Sequence, residues 1–485
     1  TVLDEILFEM DKEGLIVLSG CLASKISRLI ISGQTQKALE EVDKQRGIFG
    51  DDFYLEVMNH SIQDESVVLE ALKDFSKQRG IGLVMTGDSH YTDHGDEFAH
   101  EIALAIGTAK NINDSNRFTF NGEGYWFKSP SEMRLSAEAG GIPIGAIDNT
   151  LDIANRVEDY GFQLVSKTKK SIIPLYRIGE QALTNDQCVM MLEMKVRQGL
   201  QERGVAHLKE YQDRITHELD LICSKDFSSY FLIISDAIDF MRSKDMIVPM
   251  GRGSSVGSMV CYSLFITGID PIRLNIPFSR FINKGRKDLP DIDTDISQER
   301  RGEVLAYLVE KYGKDRVAQI VTFQTMASKG AADNVGRALG IPSSVRNAIG
   351  KLIGEVDADT TLKDILEDDP RVKEKMMEHP NWIDVAMKLE GNVRNLGAHA
   401  AGIVISNEPL MNYVPLIRDS KEGFLVTQYD MGDLAELGLL KLDLLGLKTM
   451  DLIHRTIMMV KDRTGVKMNY HDFPMWDGLD PATYE

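Results

Sequence analysis

The sequence predicts a multidomain protein that combines α/β and α+β regions, and three observations support this prediction. The chain has 485 residues, which is too many for one ordinary domain. Short apolar runs alternate with helical patterns up to about residue 160, whereas residues 323–396 are almost entirely helical in pattern. Before and after that helical stretch lie further apolar runs of strand length, and one of them carries three aspartates.

The composition indicates a globular protein without a disulfide framework. Hydrophobic residues make up 43% of the chain, which is enough to bury large cores. The four cysteines are scattered without a CxxC pair, so neither disulfides nor a zinc ribbon are indicated. We find no apolar run long enough for a bilayer and no secretory signal, and therefore expect a cytoplasmic protein without a membrane partner. Because both ends look cut, we also expect the sequence to be a fragment.

The net charge of −19 excludes a protein that is basic over its whole surface. It does not exclude a local basic groove for nucleic acid, because phosphate binding depends on where the lysines and arginines lie.

The first 160 residues show the alternation of strands and helices that is typical of a parallel α/β layer or barrel. The predicted strands cover residues 14–21, 53–57 and 81–86, with helices around residues 36–44 and 65–78. Three strands are too few for a closed barrel. Asp88 and His90 follow the third strand and Cys21 ends the first, at the strand ends where such folds carry chemistry. An Asp-x-His pair is more often a hydrogen-bonded pair than a metal site, so both interpretations stay open.

A glycine-rich turn, Gly-Arg-Gly-Ser-Ser, covers residues 251–255. We predict a short strand over residues 246–250 before it and a helix that begins near Ser254 or Ser255. Glycine lets the backbone approach a ligand, and a helix amino end presents free N–H groups. Arg252 adds a charged donor for phosphate. The turn fits neither the Walker nor the dinucleotide pattern, so by itself it is only a weak indication of phosphate binding.

Asp291, Asp293 and Asp295 alternate with apolar or small residues and therefore share one face of a predicted strand. A solvated edge strand would explain them, and so would a pair of divalent cations such as Mg²⁺ that relieves their mutual repulsion. Arg280 and Arg286 crowd the segment just before the strand. Either they lie in a solvated loop or they bind a triphosphate beside the carboxylates.

Two further features complete the pattern. Lys441 and Asp443 lie on one face of an otherwise apolar strand, where a charged residue needs a partner, and we favour Asp443 as a third metal ligand. We also predict that Ser297 caps a helix that ends at Gly313. Lys329 and Arg337 of the helical stretch could bind a phosphate backbone, although such residues usually serve solubility.

Several runs together resemble one family, the alpha (catalytic) subunits of bacterial DNA polymerase III, which are C-family replicative polymerases. The matching runs are Gly251 to Ser258, Arg280 to Asn283, Pro290 to Asp295, Val321 to Ala327, His399 to Gly402 and Lys441 to Leu447. The likeness extends over nearly the whole chain. The sequence departs from many relatives at Ala398, where they carry a lysine before the histidine.

The resemblance implies a domain order. It implies the carboxyl-terminal part of a PHP domain (a partial polymerase-and-histidinol-phosphatase barrel), a palm of the polymerase-beta nucleotidyltransferase type, a helical thumb and the start of the fingers. The expected PHP part covers residues 1–160, and the palm covers residues 161–322 and 398–450. The thumb would cover residues 323–397 and the start of the fingers residues 451–485.

The resemblance also implies roles for residues. The catalytic ligands of two Mg²⁺ ions would be Asp291, Asp293 and Asp443. The nucleotide-binding residues would be Arg252, Gly253, Ser254, Arg280, Arg286 and Lys441. Ligands for Zn²⁺ or Mn²⁺ in the PHP remnant would be Cys21, Asp88 and His90. The DNA contacts would include Lys329 and Arg337.

The implied function is template-directed DNA synthesis in bacterial chromosome replication, in which a primer 3′-hydroxyl attacks a deoxynucleoside triphosphate and pyrophosphate leaves. The expected partners are primer-template DNA and dNTPs, with the sliding clamp and other replisome subunits bound through regions outside this sequence. Three alternatives stay open. They are a template-independent nucleotidyltransferase, which the helical insert argues against, a metal phosphoesterase or exonuclease centred on Asp88 and His90, and an inactive fragment.

Overall fold

The computed structural model describes residues 13–157, 173–248, 250–283, 285, 290–354, 360–419 and 423–466. The chain divides into two compact units. Unit 1 comprises Thr1–Phe162 with Thr325–Arg394, and unit 2 comprises Gln163–Gln324 with Asn395–Glu485. The chain therefore leaves unit 2 after residue 324, contributes seventy residues to unit 1, and returns at residue 395.

Unit 1 contains a parallel sheet of three short strands in the order β1-β2-β3. The strands are β1 (Val17–Leu18), β2 (Phe53–Val57) and β3 (Leu83–Met85). The helices of this part are Lys25–Ile31, Thr35–Phe49, Gln63–Arg79, Glu97–Gly107, Pro130–Gly140 and Gly145–Arg156, with 3₁₀ turns at Gly50–Asp52 and His94–Asp96. Alternate residues of β2 are buried and those between them are half-buried, so one face of this sheet is more deeply covered than the other. The predicted strands form, although β1 is shorter than its apolar run.

The segment inserted between residues 325 and 394 is helical, with helices Ser328–Ala338, Ser343–Ile353, Leu362–Asp368, Pro370–Met377 and Trp382–Leu389. These helices share one hydrophobic core with the earlier helix Glu97–Gly107. The core contains the fully buried Ile102 and Trp382, and the Trp382 indole donates a hydrogen bond of 2.8 Å to the carbonyl oxygen of Ala332. The prediction of helix over residues 323–396 is wrong at both ends, where the chain is extended.

Unit 2 has a helical layer and a mixed sheet, which confirms the prediction of a mixed α and β protein. Its helices are Asn185–Glu202, Lys209–Ser224, Ser228–Ser243, Met259–Ser263, Arg301–Tyr312, Met431–Glu436 and Lys448–Thr464, with 3₁₀ turns at Gly253–Gly257, Phe278–Arg280 and Leu410–Asn412. None of the helices in the described part of the chain is long and apolar enough to cross a bilayer.

The main sheet has six strands in the order β6-β11-β8-β7-β10-β9. They are β6 (Asp293–Ser297), β7 (Val317–Thr325), β8 (Val393–Ile405), β9 (Leu416–Arg418), β10 (Leu425–Thr427) and β11 (Lys441–Leu447). A separate antiparallel pair consists of β4 (Arg177–Ile178) and β5 (Gln181–Ala182). Strand β11 is parallel to β6 and antiparallel to β8. The last strand of this sheet in the sequence therefore lies beside the first one, β6.

The apolar face of β6 holds this edge of the sheet in place. Ile292, Thr294 and Ile296 are at most 1% exposed and lie over the large core of unit 2. The expectation that the residues between the aspartates pack beneath the sheet is therefore confirmed. The helix Ser228–Ser243 supplies much of this core, because its residues 228 to 238 are all buried.

Three local predictions are wrong. Residues 246–248 and 250 do not form a strand, and the helix expected near Ser254 begins as a 3₁₀ turn and becomes α-helical only at Met259. Ser297 is not the cap residue of the next helix, which begins at Arg301. Its hydroxyl instead accepts a hydrogen bond of 3.1 Å from the Arg300 N–H, because β6 extends through Ser297 and a short turn intervenes.

Candidate active site on strands β6 and β11

Three aspartates come together because two strands from distant parts of the chain pair in register. Asp443 of β11 lies directly opposite Asp293 of the parallel strand β6, and Asp291 immediately precedes β6. Each of the three offers a carboxylate oxygen within 4.8 Å of the other two. In the described ranges, this is the one group of three or more acidic, histidine or cysteine side chains arranged to share a metal ion.

The backbone before β6 is anchored from below. The N–H of Ile292 donates a hydrogen bond of 3.3 Å to the hydroxyl of Tyr230, which is itself 1% exposed. Because Ile292 is held on the core side, its neighbours Asp291 and Asp293 are directed to the opposite face.

The electrostatics of the cluster are those of crowded carboxylates. Burial raises the pKa of Asp293 above its ordinary value, and the charges of Asp291 and Asp443 raise it further, against the opposing effect of Arg252 and Lys441. The ammonium of Lys441 lies 2.8 Å from Oδ2 of Asp443. One lysine and one arginine therefore neutralise only part of the charge.

The cluster fits a divalent cation. Asp443 is 6% exposed, and its Oδ1 atom is buried without a hydrogen-bond partner in the part of the chain that the structure describes. A buried carboxylate oxygen without a partner costs free energy unless a cation satisfies it. Hard divalent cations prefer carboxylate oxygens. Asp291, Asp293 and Asp443 are therefore the residues that could hold such a metal.

The glycine-rich turn borders the cluster. Gly253 has a φ of +62°, and a Cβ atom added to it would lie 3.7 Å from Oδ2 of Asp293, so the backbone passes directly beside the carboxylate. The neighbouring Arg252 is 46% exposed, and its Nε atom lies 3.3 Å from Oδ1 of Asp295. The turn and the strand thus bring a cation and backbone groups to the same place as the aspartates.

A fully buried glutamate that the sequence reasoning missed holds this turn in place. Glu218 accepts hydrogen bonds from the N–H groups of Met259 (3.0 Å) and Val260 (3.1 Å) and from the hydroxyl of Ser258 (2.8 Å). Arg214 lies 2.6 Å from Glu218 and also donates to the carbonyl oxygen of Gly257 at 2.7 Å. The sequence did contain a signal, because Glu218 occupies the apolar stripe of its helix together with buried residues one turn apart.

His399 is a second residue near the site without a role predicted from sequence. Its Nδ1 atom accepts hydrogen bonds from the N–H groups of Ala401 (3.1 Å) and Gly402 (2.7 Å). Gly402 lies opposite Asp443 across β8 and β11. Burial lowers the pKa of His399, and the charge of Lys441 lowers it further. A ring nitrogen that accepts N–H bonds carries no proton, so the proton of a neutral His399 ring lies on Nε2, and the ring ties residue 399 to the next residues of β8.

Comparison with known proteins identifies the family. Residues 190–446, more than half of the chain, match the family model described as "Bacterial DNA polymerase III alpha NTPase domain". This chain belongs to the bacterial DNA polymerase III alpha family. The match includes all three aspartates of the cluster and the glycine-rich turn.

Curated relatives of the polymerase III alpha family cover nearly the whole chain. It is 34% identical to DNA polymerase III subunit alpha of Thermus aquaticus, over 100% of this chain and 44% of that protein. It is 39% identical to the subunit of Borreliella burgdorferi, over 92% of this chain and 38% of the relative. It is 38% identical to the subunit of Treponema pallidum, over 99% of this chain and 40% of the relative. The chain thus spans less than half the length of these relatives.

The predicted metal ligands of the amino-terminal region lie outside the matched range and do not form a comparable cluster. Nε2 of His90 lies 3.3 Å from Oδ1 of Asp88, and the side chains are 34% and 46% exposed, respectively. Cys21 is exposed. Over the described residues, no ligand group of three includes any of these side chains.

Cys21 instead borders a small cavity of about 20 Å³ that Glu56 and Glu65 also line. Glu56 accepts hydrogen bonds from the backbone N–H of Gly20 (3.0 Å) and the hydroxyl of Thr86 (2.6 Å). These bonds tie the ends of the three strands together, so the Glu56 carboxylate has a structural role.

The remaining predicted residues are placed less specifically. Arg280 is exposed in a 3₁₀ turn, and Arg286 lies outside the described residues. Lys329 is exposed. Its Nζ atom lies near the carboxyl end of the helix Ser343–Ile353, at 3.0 Å from the position that a Cβ atom added to Gly354 would take. Arg337 is half-buried, with one guanidinium nitrogen 3.5 Å from Oδ1 of Asn334. DNA binding by Lys329 and Arg337 stays a prediction.

Proposed function

We propose that unit 2 carries the nucleotidyl-transfer centre of a replicative DNA polymerase, which adds deoxynucleotides to a primer 3′-hydroxyl under the direction of a template. The observation that carries this proposal is the cluster of Asp291, Asp293 and Asp443, which lies inside the range matched by the family. The named activity of the relatives supports the same reaction.

In this proposal the three aspartates hold two Mg²⁺ ions. When bound, such ions would lower the pKa of the primer hydroxyl and offset the charge of the triphosphate. The turn from Arg252 to Ser254 binds the triphosphate, because it offers a guanidinium and backbone groups beside Asp293. Lys441, which is 2.8 Å from Asp443, places a second cation at the pyrophosphate end.

The surrounding parts of the chain take the roles that the resemblance implies. The β6–β11 sheet and its helices are the palm. Residues 323–397, which include the helices from 328 to 389, are the thumb that binds the primer-template duplex, and residues 1–160 belong to a PHP domain. The core that the thumb helices share with the helix Glu97–Gly107 supports a thumb that is anchored in the PHP part of unit 1.

Calorimetric titration of this chain with a deoxynucleoside triphosphate and Mn²⁺ tests the proposal. We expect metal-dependent binding by the wild type and its loss in Asp293→Asn, which preserves the shape of the side chain but removes a ligand charge. Asp315→Asn is a matched control, because Asp315 is 56% exposed and lies 3.8 Å from an arginine outside the cluster. Primer extension by the same proteins then tests catalysis.

Equal binding by the wild type and Asp293→Asn would overturn the assignment of the site. Binding without primer extension would support the nucleotide site and would show that this stretch of chain does not catalyse transfer by itself. An exonuclease or phosphoesterase centred on Asp88 and His90 has less support, because among the described residues these two form a pair at 3.3 Å without a third ligand.

A further inference from the structure

We propose that Asp295, the third aspartate of β6, is a positioning residue that holds Arg252 ready for the triphosphate. The inference rests on the proposed function, because it assigns the neighbour of a nucleotide-binding residue. It gives Asp295 a role that differs from that of the three metal ligands.

The register of the sheet separates Asp295 from the metal cluster. Asp293 lies opposite Asp443 on β11, but Asp295 lies opposite Leu445 and is therefore not paired with a carboxylate. The cluster of ligand oxygens within 4.8 Å does not include Asp295. Its side chain is nevertheless only 16% exposed, and its Oδ1 atom is buried.

A buried carboxylate needs a positive partner, and within the described part of the chain Arg252 provides it. Nε of Arg252 lies 3.3 Å from Oδ1 of Asp295, at an angle that does not form a hydrogen bond. Burial costs the Asp295 charge free energy, and the Arg252 charge offsets part of this cost. The positive charge of Arg252 also lowers the pKa of Asp293, so the same guanidinium interacts with both carboxylates.

The backbone of the turn explains why the arginine needs such an anchor. Arg252 has an extended conformation between Gly251, with a φ of +120°, and Gly253, with a φ of +62°. The two glycines define the path of the backbone but offer no side chains that could support the arginine. Arg252 is 46% exposed, and a long free side chain loses rotamer entropy when it binds a ligand. An ion pair with Asp295 removes part of that loss before the triphosphate arrives.

A double-mutant cycle tests whether Asp295 acts through Arg252. Triphosphate affinity in the presence of Mn²⁺ is measured by calorimetry for wild type, Asp295→Asn, Arg252→Ala and the double variant. We expect Asp295→Asn to weaken binding about tenfold and to have no further effect once Arg252 is removed. Asp315→Asn is the control for the loss of one exposed carboxylate and should change nothing. Equal loss in both backgrounds would overturn the proposal.

A second measurement needs no nucleotide. The side-chain Nε–Hε resonance of Arg252, assigned from its disappearance in Arg252→Lys, should exchange more slowly with water than that of an exposed arginine. In Asp295→Asn the exchange should become faster, since the guanidinium loses the carboxylate that repels the hydroxide ion catalysing the exchange. An unchanged exchange rate would overturn the proposal. A wild type that binds no triphosphate while this exchange effect is present would count against the proposed function and leave the positioning role standing.

Discussion

The aspartates on β6 and β11 and the Cys21, Asp88 and His90 side chains of unit 1 make an instructive pair of regions. The aspartates were predicted as metal ligands from their pattern in the sequence, whereas the metal role of Cys21, Asp88 and His90 was implied only by the family resemblance. In unit 2 the side chains converge within 4.8 Å, whereas in unit 1 only Asp88 and His90 are close. The difference lies in the backbone: two side chains of the first set face each other across paired strands, but those of the second set follow strand ends on separate loops.

The comparison teaches that strand pairing is what makes a ligand set close and partly buried. Asp443 is 6% exposed, while the Asp88 side chain is 46% exposed. A carboxylate with less water around it interacts more strongly with a cation. Four experiments break or sharpen this contrast.

The largest effect is expected for Asp443→Asn. Removing this buried carboxylate should weaken Mn²⁺ binding by about 1000-fold or more, because only Asp291 and Asp293 remain to bind the ion and Asp293 loses the carboxylate opposite it. Electron paramagnetic resonance titration of Mn²⁺ measures this directly. Asp88→Asn, which removes an exposed carboxylate in unit 1, is the control and should leave the affinity for this site unchanged. Tight Mn²⁺ binding by Asp443→Asn would contradict the assignment of the cluster.

A second effect separates the two units by stability. Ile102→Ala should lower the free energy of opening of unit 1 by about 3 kcal/mol, since Ile102 is fully buried in the core shared with the inserted helices. Hydrogen exchange should therefore become faster in helices from 328 to 389 as well as in Glu97–Gly107. Val67→Ala, at a residue that is 49% exposed, should have little effect. Faster exchange confined to Glu97–Gly107 would contradict a shared core.

A third, smaller effect concerns pH. The pKa of Asp293 is raised above 3.8 in the folded protein by burial and by Asp291 and Asp443, so the folded state holds this proton more tightly than the unfolded chain. The contribution of Asp293 to the free energy of unfolding is therefore greatest at low pH and falls as the pH rises above 3.8. Without metal at neutral pH, Asp293→Asn should be more stable than wild type by up to about 1 kcal/mol, a value reduced for solvent screening.

Urea unfolding across the acid-to-neutral range measures this difference, and Mg²⁺ should diminish it by binding the wild type more tightly. Asp315→Asn controls for the loss of one negative charge. A variant that is less stable than wild type by several kcal/mol in metal-free buffer would contradict like-charge repulsion in the cluster.

The smallest effect is expected for Asp88→Asn. The pair with His90 is solvent-exposed and 3.3 Å long, so its loss should change the free energy of unfolding by less than about 0.5 kcal/mol. Thermal unfolding of the variant and wild type with and without Zn²⁺ provides the measurement. A large stabilisation by Zn²⁺ that depends on Asp88 would break the contrast between the two regions.

Much of the site could be predicted from sequence because the patterns that mark its residues are local in the chain. The alternation of aspartates with other residues over positions 291–296 predicted which side chains share a face of the strand. The burial of Ile292, Thr294 and Ile296 agrees with this prediction. Lys441 and Asp443 stood out as charged residues in an apolar run, and the structure pairs them at 2.8 Å. The helical core of the segment after residue 328 followed from its apolar spacing.

Other features depend on partners that are remote in sequence. Glu218 and Ser258 are forty residues apart, and only the fold brings the Ser258 hydroxyl within hydrogen-bonding distance of the Glu218 carboxylate. The extended ends of the inserted segment form because β7 and β8 pair within the sheet, which overrides their local helical pattern. The strand predicted before Gly251 does not form, although its residues are apolar, because burial alone does not supply a neighbouring strand.

The sequence by itself determined which residues carry charge, which turn can approach a ligand, and the family to which the chain belongs. Those properties depend on residue types at short spacing. Only the tertiary structure decided that Asp443 lies opposite Asp293, that Asp295 lies beside Arg252, and that Cys21 is separate from the Asp88–His90 pair. Register between distant strands is set by the packing of whole faces against a core, so the spacing of residues within one segment does not contain it.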